Sequence, residues 1–360
     1  MSDASEDDDQ VLERRLPYYR DDQVLTLWFR RITARGARAL AATAFTQLRE
    51  LSLYDNQIGA EGARVLAHAP WAASLQALNV CGNGLGAAGA AALAEGSWPA
   101  LERLHIGFNE LGDDGAVALA SAHMPQLTTL NVRLNGIGAR GASALIDRFA
   151  SELRVLGIEE NPLGPVGLTA IANGPFEHLE WLNFRETETD AWRDLCAAPW
   201  WPAFVRRNGK LIVDTNDKET CFETLARTFN RFTRPSRGVG NWAVQLEITD
   251  DTTCKRFVLT GNDWSVGRAD YCHLSLPRTN LSKYHQHLYV RDGVLYLEDA
   301  GSTNGSFVNM RPVRGPVALS LDDRVNYSSR RASRMVAPPI PLSIPLDDAS
   351  VGTGLPPVGR

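Results

Sequence analysis

The stretch "LERLHIGFNELGDDGAVAL", residues 101–119, contains two different patterns on the two sides of Asn109. Before Asn109, the residues Leu104 and Ile106 alternate with polar residues, as in a short strand with one buried face. After Asn109, the glycines Gly112 and Gly115 suit a turn into a helix and close packing of that helix against the strand. The stretch therefore predicts a unit made of a strand, a loop and a helix.

The same pattern recurs along the first half of the chain. Including the stretch at Leu101, full copies begin at Leu48, Leu75, Leu101, Leu127 and Leu153. The spacing between successive full copies is 27 residues once and otherwise 26. A partial copy begins at Leu179 ("LEWLNFRETETD") and a divergent copy begins at Leu25 ("LTLWFRRITARGARAL"). One such unit cannot bury its hydrophobic face alone, so the copies are expected to stack into a curved solenoid.

The pattern L-x-x-L-x-L-x-x-N, followed by I/L-G-x-x-G-A-x-x-L, resembles a leucine-rich repeat of the longer, ribonuclease-inhibitor-like type. This resemblance covers residues 22–190 and implies an α/β solenoid. The asparagines of successive copies are expected to satisfy backbone groups of the turn after each strand. They form a ladder of Asn56, Asn83, Asn109, Asn135 and Asn161. Arg30 and Thr187 replace asparagine at the ends, as is usual for capping repeats.

The non-leucine strand positions are expected to line the concave face of the solenoid. Seven strands at about 4.8 Å spacing would give a sheet about 30 Å across, enough for a protein or peptide partner. Aromatic residues lie toward the N-terminal end and charged residues toward the other end, and binding hot spots favour aromatic residues and arginine. The candidate partner-binding residues are Trp28, Phe29, Tyr54, Phe108, Arg133, Glu159 and Arg185. The alternative is that these residues only cover the sheet.

The repeat period ends near residue 190, and residues 191–240 are interpreted as a C-terminal cap followed by a linker. Tryptophans such as Trp200 and Trp201 are expected to cover the exposed end of the repeat core. The stretch "RFTRPSRGVGN" at residues 231–241 contains proline, glycine and several arginines, which is typical of a solvated linker.

Residues 241–337 show short hydrophobic strands separated by turns, which predicts an all-β sandwich. Three motifs occur here in order. They are Gly267-Arg268, "SKYH" at residues 282–285, and Asn304-Gly305 followed by Asn309. Together they resemble a forkhead-associated (FHA) domain, so the chain is interpreted as a leucine-rich-repeat solenoid followed by an FHA-type sandwich.

The resemblance to FHA domains implies that this region binds phosphothreonine peptides. A phosphothreonine carries about −1.5 to −2 charges and three acceptor oxygens, which require a forked donor, a hydroxyl and a second cation. Arg268, Ser282 and Lys283 supply these three groups. By the same resemblance, Thr303 lies beside the phosphothreonine and Asn304 holds the peptide backbone. Gly267, His285, Gly305 and Asn309 are structural positions of the motif.

Two alternative readings concern single residues of this region. Arg268 can instead form an ordinary surface ion pair. His285 and His287 share one face of a strand, as zinc ligands do, but the sequence offers no third ligand, so we predict no metal site.

The composition excludes several classes of protein. The formal net charge is −5, and Asp3, Glu6, Asp7, Asp8 and Asp9 alone supply five negative charges, so the remainder lacks the footprint of a nucleic-acid-binding protein. The acidic start, residues 1–21, and the proline- and glycine-rich end, residues 338–360, are predicted to be disordered. No signal peptide or membrane-spanning run is recognisable, so the predicted location is cytoplasmic.

The chemistry-bearing residues also favour a binding protein over an enzyme. Five cysteines are scattered without Cys-x-x-Cys pairs, and no nucleophile with its base, phosphate-cradling loop or cofactor motif is recognisable. We therefore predict a non-catalytic signalling adaptor without a cofactor. Its FHA domain would bind a phosphothreonine protein, such as a Ser/Thr kinase or its substrate, and its repeats would bind a second protein. The alternative is a scaffold for assembly or self-association with an inactive phosphate site.

Overall fold

The computed structural model divides the chain into two compact units, each of which is considered by itself. The repeat unit comprises Met1–Phe204 and Gly209–Asn216, and the C-terminal unit comprises Val205–Asn208 and Asp217–Arg360. The structure describes residues 7–186, 195, 197–206, 210–215, 233–234, 241–249, 254–268, 272–275, 281–282, 284–321, 323–328, 331–335, 340–342 and 344–345.

The repeat unit begins with helix α1 (Asp8–Arg15), which continues into a 3-10 turn at Leu16–Tyr19. The prediction that residues 1–21 form a disordered tail is therefore wrong for the part that the structure describes. Leu12 and Leu16 are buried, and Asp9 is only 2% exposed. The Asp9 carboxylate accepts the backbone N–H of Thr33 at 3.0 Å and the Thr33 hydroxyl at 2.5 Å. An acidic residue that looked solvated in the sequence thus lies at the N-terminus of the first repeat helix, where negative charge is stabilising.

The repeats follow as alternating short strands and helices. The strands are β1 (Val24–Thr26), β2 (Glu50–Ser52), β3 (Ala77–Asn79), β4 (Arg103–His105), β5 (Thr129–Asn131), β6 (Val155–Gly157) and β7 (Trp181–Glu186). The helices are α2 (Ala34–Ala42), α3 (Gly59–Ala67), α4 (Gly86–Ala94), α5 (Gly112–Ala120), α6 (Ala139–Phe149) and α7 (Gly164–Asn173). Successive strands pair in parallel, with the repeat leucines in register, as Leu78 is with Leu104. The predicted α/β solenoid is confirmed.

The glycines of the repeat have two different functions. Gly112 has a φ of +60°, a conformation that side chains rarely adopt, at the turn into α5. A Cβ at Gly115 would lie 3.1 Å from the Cα of Ala87 on α4 and 2.9 Å from Leu111. The second glycine therefore permits close packing against the preceding helix, and not against the strand as the sequence suggested.

The predicted asparagine ladder is present. The Asn109 side chain is fully buried, and its Oδ1 accepts the backbone N–H of Asn83 at 2.9 Å. Its Nδ2 donates to the carbonyl groups of Val80 at 2.9 Å and of Ile106 at 3.0 Å. Because Asn83 and Val80 belong to the preceding repeat, each asparagine links two repeats through their otherwise unsatisfied loop backbone.

Aromatic side chains cover the C-terminal end of the repeat core. Helix α8 (Trp201–Arg206) contributes the buried Trp201, and the Trp200 ring lies 5.4 Å from the ring of Phe176. The Trp200 indole N–H donates to the carbonyl group of Ala172 at 3.1 Å. Strand β8 (Lys210–Thr215) extends the parallel sheet by pairing with β7.

The C-terminal unit contains two main sheets in which most neighbouring strands are antiparallel. One consists of β10 (Asn241–Thr249), β11 (Cys254–Gly261), β16 (Phe307–Val308), β17 (Arg311–Pro312), β19 (Val325–Ser328), β20 (Arg331–Met335) and β21 (Ile340–Leu342). The other consists of β12 (Asp263–Gly267), β13 (Leu274–Ser275), β14 (Gln286–Arg291), β15 (Val294–Asp299) and β18 (Val317–Ala318). Trp264, Leu288, Leu295 and Leu297 alternate inward and are buried. The predicted all-β second domain is confirmed.

The prediction of a disordered C-terminal tail from residue 338 is also wrong in part. Strand β21 pairs with β10, with Ile340 opposite Ala243. Strand β22 (Ile344–Pro345) pairs with β9 (Thr233–Arg234). Prolines are tolerated in such edge strands, so a proline-rich composition was a poor guide to disorder here. Residues 346–360 lie outside the described residues.

Candidate functional site

Three loops of the C-terminal unit meet at one edge of the smaller sheet. Val266 of β12 lies opposite Gln286 of β14, which lies opposite Asp299 of β15. The end of β12, the start of β14 and the end of β15 therefore coincide. The segments attached there carry Arg268, Ser282 with His285, and Thr303 with Asn304, which are far apart in the sequence.

Ser282 connects its own loop to the loop that carries Arg268 and to the loop that carries Thr303. The backbone N–H of Arg268 donates to the Ser282 carbonyl at 2.9 Å, and the backbone N–H of Thr303 donates to the Ser282 hydroxyl at 2.8 Å. The Ser282 hydroxyl lies 3.3 Å from that of Thr303. Thr303 and Asn304 are exposed, whereas Arg268 and Ser282 are half-buried. The loops thus present two neighbouring hydroxyl groups and one guanidinium. Lys283, the predicted second cation, lies outside the described residues.

The buried His285 side chain connects the Ser282 loop to the Asn304-Gly305 turn. The side chain is completely buried, and its Nδ1 accepts the backbone N–H of Ser282 at 3.1 Å. The neutral ring therefore carries its proton on Nε2, which donates to the Gly305 carbonyl at 3.3 Å. Burial lowers the pKa of His285, although the Gly305 carbonyl and Asp299 oppose this change.

We expect acidification to loosen this connection, because a protonated His285 would turn a second donor toward the N–H of Ser282. Since the folded pKa lies below the ordinary value of 6.5, the stabilising contribution is complete above that value and is lost as the pH falls through the lowered pKa. Hydrogen–deuterium exchange of residues 281–306, corrected for intrinsic rates, should speed up between about pH 7 and pH 5. Unchanged protection of these amides would contradict the assigned role.

Asp299 organises the turn that carries Thr303, a role that the sequence analysis missed. Its carboxylate accepts the backbone N–H groups of Gly301 at 3.0 Å and Ser302 at 2.9 Å, and the hydroxyl groups of Ser302 at 2.7 Å and Ser306 at 2.5 Å. Burial alone would raise the pKa of Asp299, but these hydrogen bonds outweigh it and lower the pKa. An aspartate two residues before a glycine is a common turn signal, and this signal was available in "EDAGS".

Asn309 lies apart from the three loops, at the turn between β16 and β17. Its Oδ1 accepts the backbone N–H of Arg324 at 2.9 Å, and its Nδ2 donates to Asp323 at 2.5 Å. Asn309 therefore ties this turn to the segment before β19.

The concave face of the repeat unit has an aromatic cluster near its N-terminal end. The ring of Tyr54 lies 5.9 Å from that of Trp28 and 5.3 Å from that of Phe29, with edge-on geometry in both cases. Phe29 is 43% exposed and has a φ of 54°, and Phe108 has a φ of 58°. The equivalent positions Asp55, Leu134 and Glu160 of other repeats also have a positive φ, so this conformation belongs to the turn of each repeat.

The charged residues predicted for the other end form a compact group. Arg133 places its guanidinium carbon 4.4 Å from the centre of the Phe108 ring, and its Nη1 lies 3.7 Å from the Glu159 carboxylate. The two charged side chains are only 7% and 12% exposed. Among the described residues, neither Nε of Arg133 nor Oε2 of Glu159 has a hydrogen-bond partner. Burial raises the pKa of Glu159 to about 7, although Arg133 opposes the change. The structure describes the backbone of Arg185, in β7, but not its side chain.

We expect Glu159→Gln to stabilise the repeat unit at about pH 8 by roughly 1–3 kcal/mol, since one pKa unit corresponds to about 1.4 kcal/mol. A carboxyl group with a raised folded pKa contributes stability below its unfolded pKa and loses that contribution as the pH rises through about 7. The amide has no such loss, so the advantage should shrink as the pH falls and vanish near pH 4, below the ordinary pKa of 4.5. Thermal unfolding at both pH values tests this, with the exposed Glu110→Gln as the control. A less stable Glu159→Gln protein at pH 8 would contradict it.

Family comparisons agree with both halves of the fold. Residues 264–327 match the FHA domain family, and residues 46–67, 72–94, 99–120 and 123–145 match a leucine-rich-repeat family. The chain thus contains leucine-rich repeats within residues 46–145 and an FHA domain at residues 264–327. No curated protein matches the chain.

Solved structures of FHA domains are similar to about a quarter of the chain. The FHA domain of the CT664 protein from Chlamydia trachomatis is 22% identical, and the match covers 26% of this chain and 97% of that one with a TM-score of 0.25. An FHA domain studied for phosphothreonine-dependent interactions is 30% identical, with 26% and 96% covered and a TM-score of 0.24. The FhaA FHA domain, complexed with the intracellular domain of Rv3910, is 27% identical, with 26% and 98% covered and a TM-score of 0.24.

Two other kinds of site are absent from the described ranges. None of the described helices is long and apolar enough to cross a membrane. In the same residues, no group of three or more histidine, cysteine, aspartate or glutamate side chains is arranged to hold a metal ion.

Proposed function

We propose that this protein is a signalling adaptor whose FHA domain binds phosphothreonine peptides and whose leucine-rich repeats bind a second protein. The observation that carries the proposal is the meeting of three loops at Ser282. Arg268, Ser282 and Thr303 are joined there by hydrogen bonds of 2.8 and 2.9 Å, beside the exposed Asn304.

The groups at this edge suit a phosphate ester. The Arg268 guanidinium would form charge-assisted hydrogen bonds to the phosphate oxygens, and the Ser282 hydroxyl would donate to a further oxygen. Lys283 would add a second positive charge. Thr303 would lie beside the phosphothreonine, and Asn304 would donate to and accept from the peptide backbone with its amide. His285 and Asp299 would hold the two hydroxyl-bearing loops in place.

The affinity should be moderate. Hydrogen bonds to charged groups contribute about 1.5–3 kcal/mol each, and association must offset the loss of freedom of both partners. Reversible binding of this kind suits a signalling contact in which a kinase and a phosphatase control the partner. The match of residues 264–327 to the FHA domain family supports this assignment.

The concave face of the repeats supplies the second binding surface of the proposal. Trp28, Phe29 and Tyr54 offer aromatic contact area at one end, and Arg133 stacks on Phe108 further along. Arginine and aromatic residues dominate protein-binding hot spots. Cytoplasmic location remains part of the proposal.

A peptide titration of the full chain tests the phosphothreonine assignment. Fluorescent peptides from a degenerate library are compared in three forms, with phosphothreonine, phosphoserine or unmodified threonine at the fixed position. We expect binding of the phosphothreonine form alone at micromolar concentrations. Failure to bind any phosphothreonine peptide would favour the other hypothesis, in which the phosphate site is inactive and the protein serves as a scaffold.

A further inference from the structure

One face of the smaller sheet of the FHA domain carries aromatic and acidic side chains instead of the small polar residues of an ordinary solvated face. Along β12, β14 and β15, the residues that alternate with the buried core residues point outward. Two cross-strand rows result. Below, "the phosphate loops" denotes the three loops that carry Arg268, Ser282 and Thr303. The row nearer the phosphate loops consists of Ser265, His287 and Glu298. The next row consists of Asp263, Tyr289 and Tyr296.

The outward side chains pack on one another. The rings of Tyr289 and Tyr296 are stacked, with centroids 5.5 Å apart, and the ring of His287 lies 5.3 Å from that of Tyr289. His287 also lies 3.7 Å from the carboxylate of Asp263, and both of these side chains remain about one-third exposed or more. The sheet therefore presents flat aromatic surface beside carboxylates.

Tyr284 joins this face to the phosphate loops. It lies two residues after Ser282 in the chain, and it is 39% exposed. Partial burial raises the pKa of its phenol, and Asp263 and Glu298 act in the same direction. The phenol is thus within electrostatic range of one carboxylate in each cross-strand row. Below, "the aromatic face" denotes Asp263, Tyr284, His287, Tyr289, Tyr296 and Glu298.

The charge of the aromatic face is opposite to that of the phosphate loops. Asp263 and Glu298 are acidic, and within the described residues the Glu298 carboxylate has no ion pair or hydrogen bond. The nearest described cation on these strands is Arg291, which is at the far end of β14 and lies 3.9 Å from Asp292. A bound peptide would therefore meet positive charge at its phosphothreonine and negative charge with aromatic rings beside it.

We propose that the aromatic face binds one flank of the phosphothreonine partner and selects lysine or arginine in that flank. This inference rests on the proposed phosphothreonine binding. An extended peptide advances about 3.3 Å per residue, so a side chain within about five residues of the phosphothreonine can reach either cross-strand row. Its cation would pair with Glu298 or Asp263 and pack on a tyrosine ring, a contact that favours cations when partly desolvated.

The test uses synthetic phosphothreonine peptides with alanine at every flanking position except one. That position carries lysine or glutamate and is moved from five residues before to five residues after the phosphothreonine. We expect lysine to bind about 3- to 10-fold more tightly than glutamate at two or more positions on one side. The cations of the phosphate loops would by themselves favour glutamate, so this preference cannot arise from them.

Substitutions in the aromatic face test whether it causes the preference for lysine over glutamate. Glu298→Gln, Asp263→Asn and Tyr284→Ala should each reduce the ratio of lysine to glutamate affinity. Asp292→Asn is the matched control, because it makes the same charge change at the far turn of the β14–β15 hairpin, where Asp292 is 76% exposed. Thermal unfolding of each variant identifies any that fails to fold. The ratio should remain unchanged in Asp292→Asn.

The outcomes separate this inference from the function on which it rests. Absence of phosphothreonine binding in the unaltered protein would overturn both. Phosphothreonine binding with equal affinity for lysine and glutamate at every position would overturn the inference and leave the proposed function intact. A lysine preference that persists in Glu298→Gln, Asp263→Asn and Tyr284→Ala would also overturn it.

Discussion

Replacing Arg268 by alanine should weaken the binding of phosphothreonine peptides about 100-fold or more. The change removes the forked donor of the phosphate site and leaves phosphate oxygens without a charged partner. Two charge-assisted hydrogen bonds at about 1.5–3 kcal/mol each account for a loss of that size, since about 1.4 kcal/mol corresponds to a tenfold change. The Arg268 backbone should stay in place, because its N–H donates to the Ser282 carbonyl at 2.9 Å.

The measurement is a fluorescence anisotropy titration of one phosphothreonine peptide against the full chain and the variant. Arg291→Ala is the matched control, because Arg291 is 78% exposed at the far end of β14. We expect the control to bind within about twofold of the unaltered protein, since isolated surface charges contribute little. Binding by Arg268→Ala within about threefold of the unaltered protein would show that the guanidinium does not hold the phosphate.

Replacing Asn109 by alanine should destabilise the repeat unit by about 3–5 kcal/mol. The substitution removes a buried side chain that accepts from the backbone of Asn83 and Leu85 and donates to Val80, Ile106 and Gly107. Each buried backbone group left without a partner costs about 1–3 kcal/mol, and water cannot replace the amide in a fully buried position. Losses above about 4 kcal/mol are rare for single substitutions.

Chemical denaturation of the full chain, followed by far-UV circular dichroism, measures this change. The repeat unit contains most of the described helices, so its unfolding dominates the helical signal. Gln57→Ala is the control, because it removes an exposed amide side chain from the repeat that begins at Leu48 and should change the stability by less than about 0.5 kcal/mol. If Asn109→Ala and Gln57→Ala unfold at the same denaturant concentration, the ladder does not stabilise the solenoid.

The repeat unit was predictable from the sequence because each position of the repeat has one structural role that one residue type fulfils. Leu104 and its equivalents alternate toward the core, and Asn109 and its equivalents satisfy a loop that has no sheet partner. Because the pattern is repeated several times, the sequence alone identifies the leucines as core residues and the asparagines as residues that bond the loops. The FHA fold was predictable for a related reason, since three motifs occur in the required order. Whether Arg268, Ser282, Lys283, Thr303 and Asn304 bind phosphate stays a prediction.

Contacts between residues far apart in the sequence were not predictable. Asp9 has the appearance of a solvated acidic residue until Thr33 is seen beside it. Gly115 suited packing against a strand, but the neighbour that requires its small size is Ala87 of the preceding repeat. The aromatic face also depends on strand register, which places Tyr289 opposite Tyr296 and His287 opposite Glu298. Periodicity alone contains no information about these pairings.

The asparagine ladder also constrains how such a chain can change length during evolution. Each asparagine closes hydrogen bonds both within its own repeat and to the repeat before it, as Asn109 does with Ile106 and Asn83, respectively. Duplication or loss of one whole repeat, 26 residues in most of this array, restores an equivalent set of bonds at the new junction. Insertion of a fraction of a repeat within a strand or its loop does not. The concave surface is therefore free to lengthen or shorten by recombination, but only in whole repeats.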